Sequence, residues 1–295
     1  AASIANAANS LAMIGGQAYG TSSIGIGLNA VAGTTNPGIP TTTNIAIGNT
    51  TNATASDAIT IGRNNLSSGQ GAITIGLNCD ASLNNAISMG LSARSNGYQA
   101  VSMGNNTFAS GVNNSGQTIT APESDKVGAI AIGTDCSATG IAAIAMGKYC
   151  DASGNWSIAM GCGAGVLGGG QTGKQVASGI NSIAMGYQNT ANGDYSIVMG
   201  KSNTVDGPAG MAFGTDNFAD AHTSFVVGEG SHAHGSSNTG AMYSIAMGEN
   251  CETFGRGSVA LGTGCVTQFI GETVVGRYNT NAAPIPANAN SVQYP

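Results

Sequence analysis

This 295-residue chain is short of charge. Its 8 Lys and Arg and 14 Asp and Glu make up 7% of the residues, against about 25% in an ordinary globular domain. Nucleic-acid binding needs clustered cations to neutralise phosphates. Eight scattered bases and a net charge of −6 supply no such cluster. Long hydrophobic runs are missing too. No stretch near the ~18 apolar residues of a spanning helix occurs, so no membrane insertion is expected. Aromatics amount to 5%, with a single Trp. The scarcity of charge is not the signature of disorder, which pairs low hydrophobicity with high net charge. Here 41% of residues are hydrophobic and mean hydropathy is +0.08.

Glycine is what the chain has in excess, with 47 residues against a usual ~7% of a chain. Many close a short motif of the form IAMG, ISMG, VALG or TVVG. Aligned on that closing glycine, sixteen units run from Gly27 to Gly276, and eleven of the fifteen intervals equal 14 residues. The other four are 21, 29, 25 and 20 residues. A fixed period of this kind marks a solenoid or array.

Within each unit the residue before the closing glycine is apolar, as in Met146, Met160 and Met185. The residue two before it is always small: eight Ala, three Val, two Thr, two Ser and one Gly. Large–small–large is the two-residue period of a short β-strand. Small residues recur three, five and seven places after the glycine, as in Cys150, Ala152 and Gly154, and predict a second strand. Turns rich in Asn, Asp, Gly and Ser separate the two. Each unit therefore reads as one coil of an all-β solenoid, with about sixteen 14-residue coils over residues 24–276. The bulky Ile, Met and Val are expected to fill the coil interior. The small middle residues, among them Ala159, Ala184, Val198, Val226, Ala246 and Val274, are expected to point out and be buried against a second copy of the chain.

Units such as YCDASGNWSIAMG (149–161), YQNTANGDYSIVMG (187–200) and LNCDASLNNAISMG (77–90) resemble the head repeats of trimeric autotransporter adhesins, the YadA-like head repeats. The resemblance runs over about residues 24–276. It implies a left-handed parallel β-roll, a homotrimer, and adhesion at a surface. Similar repeats also occur in the tail fibres of phages. The resulting expectation is a structural and receptor-binding trimeric fibre protein of a virus or phage particle. It would attach to a host cell surface glycan or receptor and adjoin other fibre or virion proteins. The alternative is the head of a bacterial trimeric adhesin on the cell exterior.

Five of the six cysteines, Cys79, Cys136, Cys150, Cys251 and Cys265, sit three residues after a closing glycine. Asn65, Asn189, Asn203 and Asn217 share that position, so it reads as a site for something small, with buried thiols or disulfides between adjacent coils as the alternatives. Thiols would suit assembly in a reducing cytoplasm and so favour the particle fibre. Gly163 to Gly168 imitates a dinucleotide fingerprint, but no helical pattern follows it, and no cofactor is expected. No nucleophile–base pair is visible in the spacing, and no enzymatic activity is expected. Residues His232 and His234 are the exception to this plainness. Three chains around an axis would supply six imidazole nitrogens, a set suited to iron or nickel. Two solvated histidines in an insertion are the alternative.

Residues 1–23 are expected to be an N-terminal cap or junction, and 277–295 an extended tail. Insertions are expected near 28–41, 105–127, 162–180 and 229–242. Loops on rigid scaffolds commonly carry recognition. The receptor-binding candidates are therefore Phe108, Pro122, Glu123, Asp125 and Lys126 in the longest insertion.

Overall fold

The computed structural model describes residues 2–34, 41–111, 128–164, 173–235 and 242–278. Every element among them is a β-strand, and none is a helix. The chain divides into two compact units, Ala1–Lys148 and Tyr149–Pro295. Each unit repeats the same coil: a short strand of two or three residues, a turn, a longer strand usually of five, and a second turn. The first unit has nine longer strands and the second has eight, about seventeen turns of an all-β parallel solenoid.

The ladder follows the 14-residue period. In the first unit Ile59, Thr60, Ile61 and Gly62 lie beside Ile73, Thr74, Ile75 and Gly76. In the second, Ile183, Ala184, Met185 and Gly186 lie beside Ile197, Val198, Met199 and Gly200. The insertions do not disturb this register: Val101–Asn105 pairs with Ile130–Thr134 across the longest of them. Coils also begin earlier than the sequence pattern indicates. Ile4–Ala5 pairs with Gln17–Ala18, and Leu11–Met13 pairs with Ile24–Ile26. Residues 2–23 are thus part of the ladder rather than a separate cap.

The two faces of the longer strand are inverted relative to expectation. Ala159, Ala184, Val198, Val226 and Ala246 have no exposed surface, and Val274 is 8% exposed. They are sealed inside their own coil, so they cannot contact another chain. The bulky neighbours face outward: Met199 is 39% exposed, Met211 37%, Met247 37% and Val275 48%. The physical reason is the thinness of the coil. Ser157 just before the longer strand, Ala159 within it, and the shorter strand's Cys150 and Ala152 are all buried. Two sheets joined by turns this tight leave room only for small side chains between them. Where one is larger, its neighbour shrinks: a Cβ added to Gly210 would lie 2.7 Å from Cγ1 of Val205.

Many interior hydroxyls bond across the coil. Ser67 and Thr74 join at 2.8 Å, Ser88 donates to Ser95 at 3.1 Å, and Ser102 donates to Thr107 at 2.8 Å. The turn after the longer strand depends on the closing glycine. Gly186 has φ +121°, a region that side-chain-bearing residues avoid, and an added Cβ would land on the carbonyl oxygen of Gly200.

The position three residues after that glycine is chosen for hydrogen bonding as well as size. The Asn189 amide donates to the Met185 carbonyl at 2.8 Å and the Gly200 carbonyl at 2.8 Å. Asn203 donates likewise to Met199 at 3.2 Å and Gly214 at 2.7 Å. Each side-chain oxygen then accepts the next coil's backbone: Asn203 N–H donates to Asn189 Oδ1, and Asn217 N–H to Asn203 Oδ1. In other coils a thiol takes over the first task. Sγ lies 3.2 Å from the next closing-glycine carbonyl at Cys79, Cys251 and Cys265. All six cysteines carry thiols, and five are buried. Burial raises the pKa of Cys79 and of Cys251, which keeps both protonated and able to donate.

Asn203→Ala strands the Asn217 amide and two carbonyls. The expected loss is ~1–3 kcal/mol in denaturant unfolding. Asn203→Cys should lose less, because a thiol fills the equivalent place elsewhere. Equal stability of wild type and the Ala variant would show the ladder to be incidental.

Candidate binding faces

Each coil has two outward faces. On the longer strand, the residues three and one before the closing glycine point out, together with the residue after it. The first two form an apolar stripe. In the first unit it runs through Ile59, Ile61, Ile73 and Ile75, and in the second through Ile183, Met185, Ile197 and Met199. None of these side chains is fully buried. The third row is mixed and carries Arg63, Lys148, Lys201, Glu229 and Glu249. An apolar strip bordered by charge has the anatomy of an interface core and rim.

The shorter strand's outward face is mixed, and in the second unit three successive coils carry a cluster of rings on it. Ala219, Ala233 and Thr253 point inward and are fully buried. Their neighbours on three successive coils therefore point outward. One row holds Phe218, His232 and Glu252, in register. The other, two residues on, holds Asp220, His234 and Phe254. The rings form a diagonal path. Phe218 meets His232 edge-on at 4.6 Å, the two imidazoles lie 3.4 Å apart, and His234 stacks on Phe254 at 4.0 Å. Carboxylates fill the remaining corners. His232 Nε2 lies 3.4 Å from Asp220 Oδ1, and His234 Nε2 lies 3.5 Å from Glu252 Oε2. Neither contact is aligned as a hydrogen bond. The Asp220 carboxylate also accepts the backbone amide of Gly235.

The histidines thus occupy regular coil positions, not a free insertion loop. Among the described residues, no group of three or more His, Cys, Asp or Glu side chains is placed to hold a metal ion. The imidazoles face opposite to the apolar stripe, each beside a carboxylate of its own chain. Burial, and next to it the His234 imidazole, lowers the His232 pKa; Asp220 and Glu252 oppose that shift.

Of the receptor-binding candidates, Phe108 lies on the strand Phe108–Ala109, outward and half-buried. The Arg94 guanidinium is 5.9 Å from its ring centroid. Pro122, Glu123, Asp125 and Lys126 lie outside the described residues. All four expected insertions are narrower than the sequence indicated: Val31–Ala32 is a coil strand paired with Asn52–Ala53, and Phe108–Ala109 is one paired with Ser137–Ala138. Gln175–Ala177 is a coil strand paired with Cys150–Ala152, and His232–Ala233 is one paired with Phe218–Ala219.

A lowered His232 pKa means that the unfolded chain takes up the proton more readily than the folded one. Stability is therefore complete above the ordinary histidine value of about 6.5 and falls as pH drops below it. Thermal melts from about pH 8 to about pH 5 should show wild type losing more than His232→Phe. Parallel losses would mean that the imidazole is not the titrating group.

No curated protein matches the chain. The family model of the YadA head domain repeat does, in two copies, over residues 124–149, 177–203 and 241–264. The matched segments include both kinds of strand, for example Thr190–Ala191 and Ile197–Lys201. By sequence over those segments and by parallel coil architecture in both units, the repeat of this chain is similar to the YadA head repeat.

Proposed function

We propose that the chain is the adhesive head of a homotrimeric surface fibre. The observation that carries this reading is the outward apolar stripe on a coil whose sequence matches the YadA head repeat. A contiguous apolar face is rare on a monomer and marks an interaction surface. A parallel solenoid carries that face at the same angle on successive coils, which suits side-by-side association of identical chains. The mixed row beside the stripe, with Arg63, Lys148, Lys201, Glu229 and Glu249, then forms the rim.

Two settings fit. The family match favours the head of a bacterial adhesin. The Cys79, Cys136, Cys150, Cys251 and Cys265 positions favour a virus or phage fibre assembled in a reducing cytoplasm, because a buried thiol works there without risk of oxidation. In both settings the protein acts outside the cell, by binding rather than by catalysis. An axial iron or nickel site at His232 and His234 is incompatible with assembly through the apolar stripe, because the imidazoles would then point away from the axis.

Met160→Asp places a charge on the outward stripe. Light scattering should show a folded single chain in place of a trimer, because a desolvated, unpaired charge costs several kcal/mol. Ala159→Glu should instead lose its coil structure, as seen by circular dichroism. A trimeric Met160→Asp variant would move the interface to another face. A trimer that adheres to no cell surface would overturn the adhesive reading.

A further inference from the structure

The turn that precedes each longer strand places one residue in the left-handed backbone region. In the second unit, successive coils fill that place with Trp156, Asn181, Tyr195, Ala209, Thr223, Tyr243, Gly257 and Gly271, with φ between +55° and +68°. The turns run in single file. The amide of Asn181 donates to the Asn155 carbonyl, that of Tyr195 to Ile180, that of Ala209 to Asp194, that of Thr223 to Pro208, and that of Tyr243 to His222. Glycine and asparagine take this conformation readily; a bulky side chain there is a strained outlier. Three of the eight places nonetheless hold aromatics, and all three project into solvent: Trp156 is 52% exposed, Tyr195 63% and Tyr243 53%. Trp156 is the only tryptophan in the chain. Neither packing nor backbone preference accounts for them, and strain retained against preference points to a binding role.

We propose that this edge is a rail of aromatic platforms for an extended polysaccharide, a site that rests on the adhesive reading and names its ligand class. Coils stack at ~4.8 Å, so Tyr195 stands two coils, ~9.6 Å, beyond Trp156, and Tyr243 three coils, ~14.4 Å, beyond Tyr195. One coil rise is close to the length of one pyranose unit in an extended chain, so the rings meet a glycan at whole-residue intervals. Sugar rings stack their C–H faces on exposed aromatics, and tyrosine and tryptophan supply rigid amphipathic contact at little entropic cost. Polar groups for sugar hydroxyls line the same edge, namely Asn181, Asp194 and Thr223. The Arg256 guanidinium lies 5.9 Å from the centroid of the Tyr243 ring. Among the described residues, Asp194 and Arg256, one of each sign, are the charged side chains of these turns, so the edge has no net charge and suits a neutral glycan.

The sole tryptophan makes the site its own reporter. The protein is run in native gels cast with dextran, xylan, mannan, mixed-linkage β-glucan or smooth lipopolysaccharide. Oligosaccharides of the retarding polymer are then titrated against tryptophan emission. Retardation by at least one polymer is expected, with a saturable emission shift that tetrasaccharides and longer chains produce and disaccharides do not. Tyr195→Gly should weaken binding at least tenfold while melting no lower than wild type, because glycine accepts the positive φ. Ala209→Gly, on the same edge but without a ring or a polar side chain, should leave affinity within twofold. Retardation by none of the polymers overturns the rail; if the protein still adheres to cells, the adhesive reading stands without it, and if it does not, both fall. Unchanged affinity in Tyr195→Gly also overturns the rail. Dissociation of the oligomer in that variant would assign the edge to subunit contact instead.

Discussion

The closing glycine is the constraint on which the coil depends. At Gly186 and its equivalents the backbone enters a region closed to other residues, and the next coil's glycine carbonyl sits where a Cβ would be. That close approach puts the carbonyl within reach of the Asn or Cys side chain of the preceding coil, which bonds it from inside. Turn, stacking distance and interior hydrogen bond are one arrangement. It recurs in the same register whether the interval is 14 residues or, across an insertion, longer.

A coil closed this tightly has almost no interior volume, and the distribution of side chains follows from that. Alanine, serine, threonine, cysteine, asparagine and an occasional valine occupy the inside. Isoleucine and methionine, which would supply the core of an ordinary domain, are pushed to the outside. One coil alone therefore buries little apolar area. A solenoid of this kind draws its stability from neighbour-to-neighbour contacts and from whatever covers the apolar stripe. The low charge of the chain is consistent with this, since most positions face either a neighbouring coil or a neighbouring surface.

Much of this could be read from the sequence. Period, register and both strands of most coils were visible in the spacing of Gly48, Gly62, Gly76 and their successors; the coils before Gly27 and the strand Gln175–Ala177 were not. The direction of the strand was not. Large–small–large defines two faces without saying which is inside, and the habit of placing bulky apolar residues inward pointed the wrong way. A corrective signal was present: the small residues at Ser157 and Ala159 fall in phase with those at Cys150 and Ala152, and two small faces fit together only on the inside of a thin coil. The role of Asn203 as a donor was likewise readable in part, because Asn, Cys, Ser and Thr at that position all carry a donor, with Ala30, Ala93 and Ala164 as exceptions. Counting from Gly228 would also have placed His232 and His234 on a strand. The same count, from Gly214 to Phe218 and from Gly248 to Phe254, puts the four rings on one face; only their contacts needed the structure.

The central claim is that small side chains fill the coil and bulky ones leave it. Oxidative footprinting by mass spectrometry on the native assembly and on a dissociated but folded chain tests it directly. Thioethers are oxidised by peroxide according to exposure. The account predicts that Met185, Met199, Met211 and Met247 are protected in the assembly and oxidised on dissociation, while the thiols of Cys79, Cys251 and Cys265 stay reduced until the coil unfolds. Methionines that resist oxidation in the separated, folded chain, with the cysteines reacting first, would contradict it.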